Sequence, residues 1–198
     1  AATKTYTGQV VMLALLAYAL SDKSFKLQDE LLTIANHLER FLKRSVYIKT
    51  VVAQKLHKAN TFFIGRGLDY VTALEGSLKL KEISYIHSEA FPAGELKHGA
   101  IALIEKATPV IAIISDPAIV RNTRSNISEV VARGAVVLTI TTTALSNESD
   151  DIILPEVNPL LSPLLFVPAT QLIAYYTALI RGEDIDKPRN LAKSVTVE

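Results

Sequence analysis

Residues 61–91 read TFFIGRGLDYVTALEGSLKLKEISYIHSEAF. Thr61–Ile64 is a short apolar strand stopped at Gly65. Asp69 or Thr72 can open a helix that runs to about Ile83. Tyr85–Phe91 reads as a second strand, with a turn at Pro92-Ala93-Gly94. The alternation continues outward. Glu95–Ile104 reads as helical, Pro109–Ile114 as a strand dense in β-branched residues, and Pro117–Arg133 as a helix stopped by Gly134. Ala135–Ile140 and Ile152–Leu154 are the last two strands, and Leu164–Arg181 is a long closing helix ended by Gly182. Continuously apolar strands alternating with helices predict a parallel sheet covered on both faces. Five such strands fit an α/β, three-layer αβα architecture with an open, flavodoxin-like doubly wound sheet. Ligands of such sheets sit beyond the carboxyl ends of the strands.

Helices precede this unit. Leu27, Leu31, Ile34, Leu38 and Phe41/Leu42 recur at three- and four-residue spacing, which predicts an amphipathic helix. Val46–His57 predicts another. Val10–Leu20 is apolar on every side, so as a helix it needs burial from some neighbour. That eleven-residue run is too short for a bilayer, which takes about 20. With Lys4 and Ala17-Tyr18-Ala19 it superficially mimics an export signal, but the chain starts at Ala1 without a Met and reads as a piece of something longer. Glu183–Glu198 is a polar tail, frayed by composition.

The 198 residues suit one domain with appended helices. Apolar residues make up 49% and charged residues 21%, which excludes wholesale disorder. Twenty-one Lys and Arg balance 20 Asp and Glu, so there is no overall basic field for nucleic acid or an anionic membrane. The absence of cysteine excludes disulfides, thiolate metal sites and a cysteine nucleophile within these residues.

Gly65-Arg66-Gly67 sits between a strand and a helix, where glycines let backbone approach an anion. Tyr70 stands where a dinucleotide fingerprint needs its third glycine, so the plainer reading is a tight turn. Glu75, Lys79 and Glu82 are spaced i, i+4, i+7 and share one helix face. On a solvated face they would be an ordinary ion-pair ladder. In a cleft, a carboxylate would shuttle a proton and an ammonium would polarise an oxygen. His98 follows a glycine turn, and histidine titrates near neutrality. The four histidines show no metal-ligand spacing such as H-E-x-x-H. A lysine in a tail folded over a pocket could form a Schiff base with a carbonyl substrate.

Three blocks together carry a resemblance. Gly65-Arg66-Gly67, the run from Ala73 to Ala90, and Gly94-Glu95-Leu96-Lys97-His98-Gly99 are similar to the isomerase part of the glucosamine-6-phosphate synthase family, and the tail Asp186–Glu198 resembles its C-terminus. The family has a glutaminase domain followed by two sugar-isomerase (SIS) lobes. The resemblance implies that residues 1–20 are the last helix of the first lobe, 21–182 the second lobe, and 183–198 an active-site tail. It implies that Glu82 moves a proton between C1 and C2 of the sugar, and that Lys79 assists transfers at the sugar oxygens. By the same resemblance His98 opens the ring in a partner subunit's site and Lys193 forms the Schiff base, with Ala2 and Ala192 binding substrate. No metal or organic cofactor is implied. The implied partners are fructose 6-phosphate or glucosamine 6-phosphate and a second copy in a homodimer, with no nucleic acid and no membrane, in the cytoplasm.

One departure matters. The family holds the sugar phosphate with hydroxyl-rich loops of its first lobe, whereas the loop after the third strand here is Ser115-Asp116-Pro117. The expectation is therefore a chain that carries catalytic groups without a complete active site. Two other readings stand beside it: a non-catalytic regulatory SIS module that binds sugar phosphate, and a stand-alone phosphosugar isomerase or deglycase.

Overall fold

The computed structural model describes residues 2–22 and 26–190. Three helices come first: α1 (Lys4–Leu20), α2 (Leu27–Lys43) and α3 (Tyr47–Lys55). The alternating unit follows as β1 (Asn60–Gly65), α4 (Leu68–Ser84), β2 (His87–Pro92), β3 (Pro109–Ile114), α5 (Val120–Val131), β4 (Val136–Thr142), β5 (Ile152–Leu154) and α6 (Pro163–Arg181). All strand pairs are parallel, in the order β2-β1-β3-β4-β5. That is the doubly wound order expected from the apolar strands, with its switch point between β1 and β3.

The sheet divides two cores by the period of its strands. Phe63, Ile111, Ile113, Leu138 and Ile140 face the larger core, which α2, α3, α4 and α6 complete. Phe62, Ile64, Val110 and Ala112 face the smaller one, closed by Leu96, Ile104 and Val130. Every residue of β3 is buried, as a central parallel strand requires. α6 is by length and composition apolar enough to cross a membrane, yet 67% of that stretch is buried inside the fold, so its apolarity is that of a core helix.

The structure corrects several expected boundaries. Glu95–Ile104 is not one helix but two short 3-10 turns, Leu96–His98 and Ala100–Leu103, because extended backbone at Gly99 interrupts the ladder. α5 starts three residues after Pro117, since Asp116 Oδ1 accepts the Ala118 N–H and holds a turn there. β2 begins at His87 rather than Tyr85, which caps α4 in the left-handed conformation (φ 58°). The tail is ordered further than its composition suggested. Asp184 Oδ1 accepts the N–H groups of Asp186 and Lys187, and Ile185 packs on the larger core.

Candidate functional site

α4 decides where the chemistry lies. Its buried side carries Asp69, Thr72, Ala73, Gly76, Ser77, Lys79, Leu80 and Ile83, while Leu68, Val71, Leu74 and Leu78 stay 41–46% exposed. Small residues on the inner side allow a close approach to α6. A Cβ on Gly76 would meet the Thr170 Cβ at 2.8 Å and the Phe63 ring at 2.9 Å. The charged i, i+4, i+7 face is thus drawn into the protein with the small one.

Lys79 is buried, with a side chain only 5% exposed. Its Nζ donates to Glu82 Oε2 at 2.7 Å and lies 3.6 Å from Glu75 Oε1. The two carboxylate side chains are 11% (Glu75) and 20% (Glu82) exposed. This is no solvated ladder: one ammonium lies between two carboxylates in a sheltered place. Glu75 is the more enclosed acid. Burial raises its pKa, the Lys79 charge opposes that rise, and the Glu82 charge adds to it. The phenol of Tyr6 on α1 is also raised, by burial and then by the Glu75 charge, which places the first helix beside this acid. Glu82 is the less buried of the two and is directly bonded to the ammonium. The sequence reading put Glu75 on the same face but assigned the chemistry to Lys79 and Glu82. Its depth could not be read from spacing alone.

The position of this cluster differs from the expectation for doubly wound sheets. α4 starts beside the end of β1 and finishes just before β2 begins, so Lys79 and Glu82 lie toward the amino-terminal edge of the sheet. The carboxyl edge is occupied by the chain's own groups. Asp69, 2% exposed, accepts from the backbone N–H and the hydroxyl of Ser115, and that hydroxyl also contacts Ser162. Burial pushes the Asp69 carboxyl up to about 6, against the lowering effect of the Ser115 bonds. Arg66 bonds Asn126 and packs over Gly94. Gly65-Arg66-Gly67 is accordingly the tight turn of the plainer reading. A Cβ at Gly65 would lie 2.5 Å from the Asp69 backbone, and Gly67 has φ 54°.

The other expected residues fall in three places. His98 is exposed on the first 3-10 turn, past the carboxyl end of β2. The six residues of β2, at about 3.3 Å each, separate its level from that of Glu82, so one chain does not bring the two together. Ala2 is exposed just before α1. Its neighbours Thr3 and Lys4 line a groove of about 660 Å³ with Ile83, Gln171, Tyr175 and Asp186. Lys79 and Glu82 do not line that groove. It passes one residue further along α4, at Ile83. Lys193 and Ala192 lie outside the described residues. The last described stretch leads toward the same helix end, because Arg189 contacts Tyr85. Among the described residues no group of three or more His, Cys, Asp or Glu is arranged to hold a metal ion.

Comparison with known proteins bears on the fold and family. The SIS domain family model matches residues 55–181. The glutamine–fructose-6-phosphate aminotransferase (isomerizing) of Streptococcus pneumoniae is 52% identical over all of this chain, which spans 34% of that protein. The chain therefore covers about a third of the length of such curated relatives. Among solved structures, the C-terminal domain of the Francisella tularensis glucosamine-fructose-6-phosphate aminotransferase superposes with TM-score 0.85 at 36% identity, covering 94% of this chain and 56% of that one. A glucosamine-6-phosphate deaminase from Thermotoga maritima superposes with TM-score 0.74 at 26% identity, covering 100% and 58%.

Proposed function

Because this chain belongs to the SIS domain family, we propose that it is the C-terminal part of an enzyme that converts fructose 6-phosphate and glutamine into glucosamine 6-phosphate and glutamate. Its share of the work is the ketose–aldose isomerisation. The observation that carries this reading is the enclosed Lys79 between Glu75 and Glu82. In the proposed reaction the Lys193 amine condenses with the open-chain carbonyl at C2 and releases water. Ammonia freed from glutamine then displaces the lysine from C2, and the resulting imine makes the adjacent C–H more acidic. The Glu82 carboxylate takes a proton from C1, exchanges it with solvent and delivers one to C2. Lys79 offers N–H donors to the sugar oxygens and bonds Glu82, with Glu75 on its other side. Ala2 and Ala192 bind substrate from the two ends of the chain.

His98 serves the ring-opening step in the site of a second copy, since its own Glu82 sits at the other end of β2. A homodimer follows from that assignment. Residues 1–20 act as the last helix of a preceding lobe, 21–182 as the second lobe and 183–198 as the tail over the site, in a cytoplasmic enzyme. A purely regulatory SIS module is not favoured, because binding alone gives no reason to bury an ammonium between two carboxylates.

The test joins these 198 residues behind the preceding part of the Streptococcus pneumoniae relative, in place of that protein's own matching third. The fusion is expected to form glucosamine 6-phosphate, and borohydride with fructose 6-phosphate should label Lys193. The isolated 198 residues should form none, for want of a hydroxyl-rich phosphate loop. An inactive fusion beside an active parent, or sugar isomerisation by the isolated chain, contradicts the reading.

A further inference from the structure

The carboxyl edge of the sheet holds a charged group that the proposed reaction does not use. In a doubly wound sheet the ligand crevice opens at the switch point, between strands whose following helices leave to opposite faces. Here those strands are β1 and β3, since α4 packs on the larger core and α5 on the smaller one. Asp69 lies across the gap. It stands in the first turn of α4, just after β1. Its Oδ2 accepts the backbone N–H of Ser115, just after β3, at 2.9 Å, and its Oδ1 accepts the Ser115 hydroxyl. That hydroxyl has one proton, so its 3.0 Å contact with Ser162, at the start of α6, is donated by the Ser162 O–H. Every donor in the chain thus points toward one carboxylate.

An acid is a costly choice for this place. Asp69, Ser115 and Ser162 are all buried. Burial raises the Asp69 carboxyl to about 6 against the effect of its bonds, and the Asp116 charge adds to the rise. At neutral pH the group is still ionised, and holding that charge has a cost that a neutral side chain avoids. What surrounds it is what an oxyanion seeks. A backbone N–H and two hydroxyls converge on it at the positive end of a helix. Arg66 adds a cation, leaving the β1–α4 turn to bond Asn126 of α5.

We infer that Asp69 is a built-in anion: it fills an oxyanion site at the switch point of this lobe and so closes the lobe to the phosphoryl end of a sugar phosphate. A sugar phosphate is thereby kept from a second, unproductive seat at the far edge of the sheet from Lys79 and Glu82. The choice of a phosphorylated ligand rests on the reading above. The test reads binding by the 198-residue chain rather than turnover, so its failure leaves the isomerase reading standing.

Asp69→Gly removes the carboxylate and opens its space, Asp69→Ser keeps a short polar side chain, and inorganic phosphate at neutral pH is the probe. Titration followed by NMR at the Ser115 amide should give no shift in wild type and a saturable shift in both variants. Adding Ser115→Ala to Asp69→Gly removes a donor and should weaken phosphate about tenfold, the equivalent of one hydrogen bond to a charged group. A variant that is unfolded alone should regain its folded spectrum with phosphate. Saturable binding at Ser115 in wild type overturns the closure. The absence of any response in both variants overturns the site. Binding of formate where phosphate does not bind shows a hole for a planar carboxylate only, and overturns the phosphoryl assignment. A phosphate affinity indifferent to Ser115→Ala overturns it as well, because the ion then sits elsewhere.

Discussion

α1 and α4 are helices of 17 residues each, and their fates are opposite. α1 is the apolar one, yet none of its residues is fully buried, and Met12, Leu13 and Leu16 are 58–65% exposed. α4 carries Asp69, Glu75, Lys79 and Glu82, and it is packed between the sheet and α6 with nine residues buried. Hydropathy sorted them the wrong way round. What draws α4 inward is a row of small residues that lets it approach α6, together with charges that find partners there. α1 touches the core only through Val10, Val11, Ala14 and Tyr18. Leu13 and Ala17 of α1 line one groove with the exposed Leu68 and Val71 of α4. An apolar helix with one side uncovered is a contact surface in waiting, and a charged helix drawn inside is a site.

The sharpest way to break this contrast is at Lys79. Lys79→Met should destabilise the chain by about 2–4 kcal/mol in chemical denaturation, because it leaves two sheltered carboxylates facing each other without their cation. A loss below 1 kcal/mol would mean that the cluster is effectively solvated.

Glycine-to-alanine substitution reads both helices with one change. Gly76→Ala should cost about 1–3 kcal/mol, since the new methyl has no room against Thr170 and Phe63. Gly8→Ala in α1 should gain about 0.5–1 kcal/mol, because nothing lies within 4 Å of the added carbon and alanine is the better helix former. Equal signs in the two denaturation curves would erase the distinction.

The outer face of α1 should show itself by association. The isolated chain is expected to self-associate at micromolar concentration, and Leu13→Glu with Leu16→Glu should return it to a monomer with less than about 0.5 kcal/mol change in stability. Light scattering that finds the unsubstituted chain monomeric would contradict this.

A pH dependence singles out Asp69 at the start of α4. Its carboxyl titrates near 6 in the fold against an ordinary value near 3.8, so the folded chain keeps a proton that the unfolded chain has lost. Stability should therefore fall as pH rises from about 4 to about 6 and level off above, contributing up to a few kcal/mol at this site. Asp69→Asn should flatten that slope relative to wild type while preserving the bond from the Ser115 N–H. Parallel pH profiles for the two proteins would place the titration elsewhere.

The strands and their parallel pairing were legible in the sequence because a fully buried parallel strand has to be apolar throughout, as Pro109–Ile114 is. The candidate site was legible in part. Spacing put Glu75, Lys79 and Glu82 on one face, and the resemblance gave that face a chemistry, but nothing local told an inward face from an outward one. The answer lay in Gly76 and Thr170, nearly one hundred residues apart and meeting only in the fold. The same holds for Tyr85 and Arg189, which no periodicity links. Glu95–Ile104 misled because apolar spacing survives in 3-10 turns while the α-helical ladder does not. The exposure of α1 was half legible: its uniform apolarity called for a partner, and within the described residues the partner covers one side alone.

The central claim is that the inward charged face of α4 moves a proton on a sugar phosphate. Solvent-deuterium incorporation tests it most directly, using the fusion with its preceding lobe in heavy water and mass spectrometry of the product. The account predicts deuterium at C2 of glucosamine 6-phosphate, with Glu82→Gln slowing product formation by about 10²–10⁴-fold and a surface change such as Glu148→Gln leaving it untouched. A Glu82→Gln protein that forms deuterated product at the rate of wild type would contradict it.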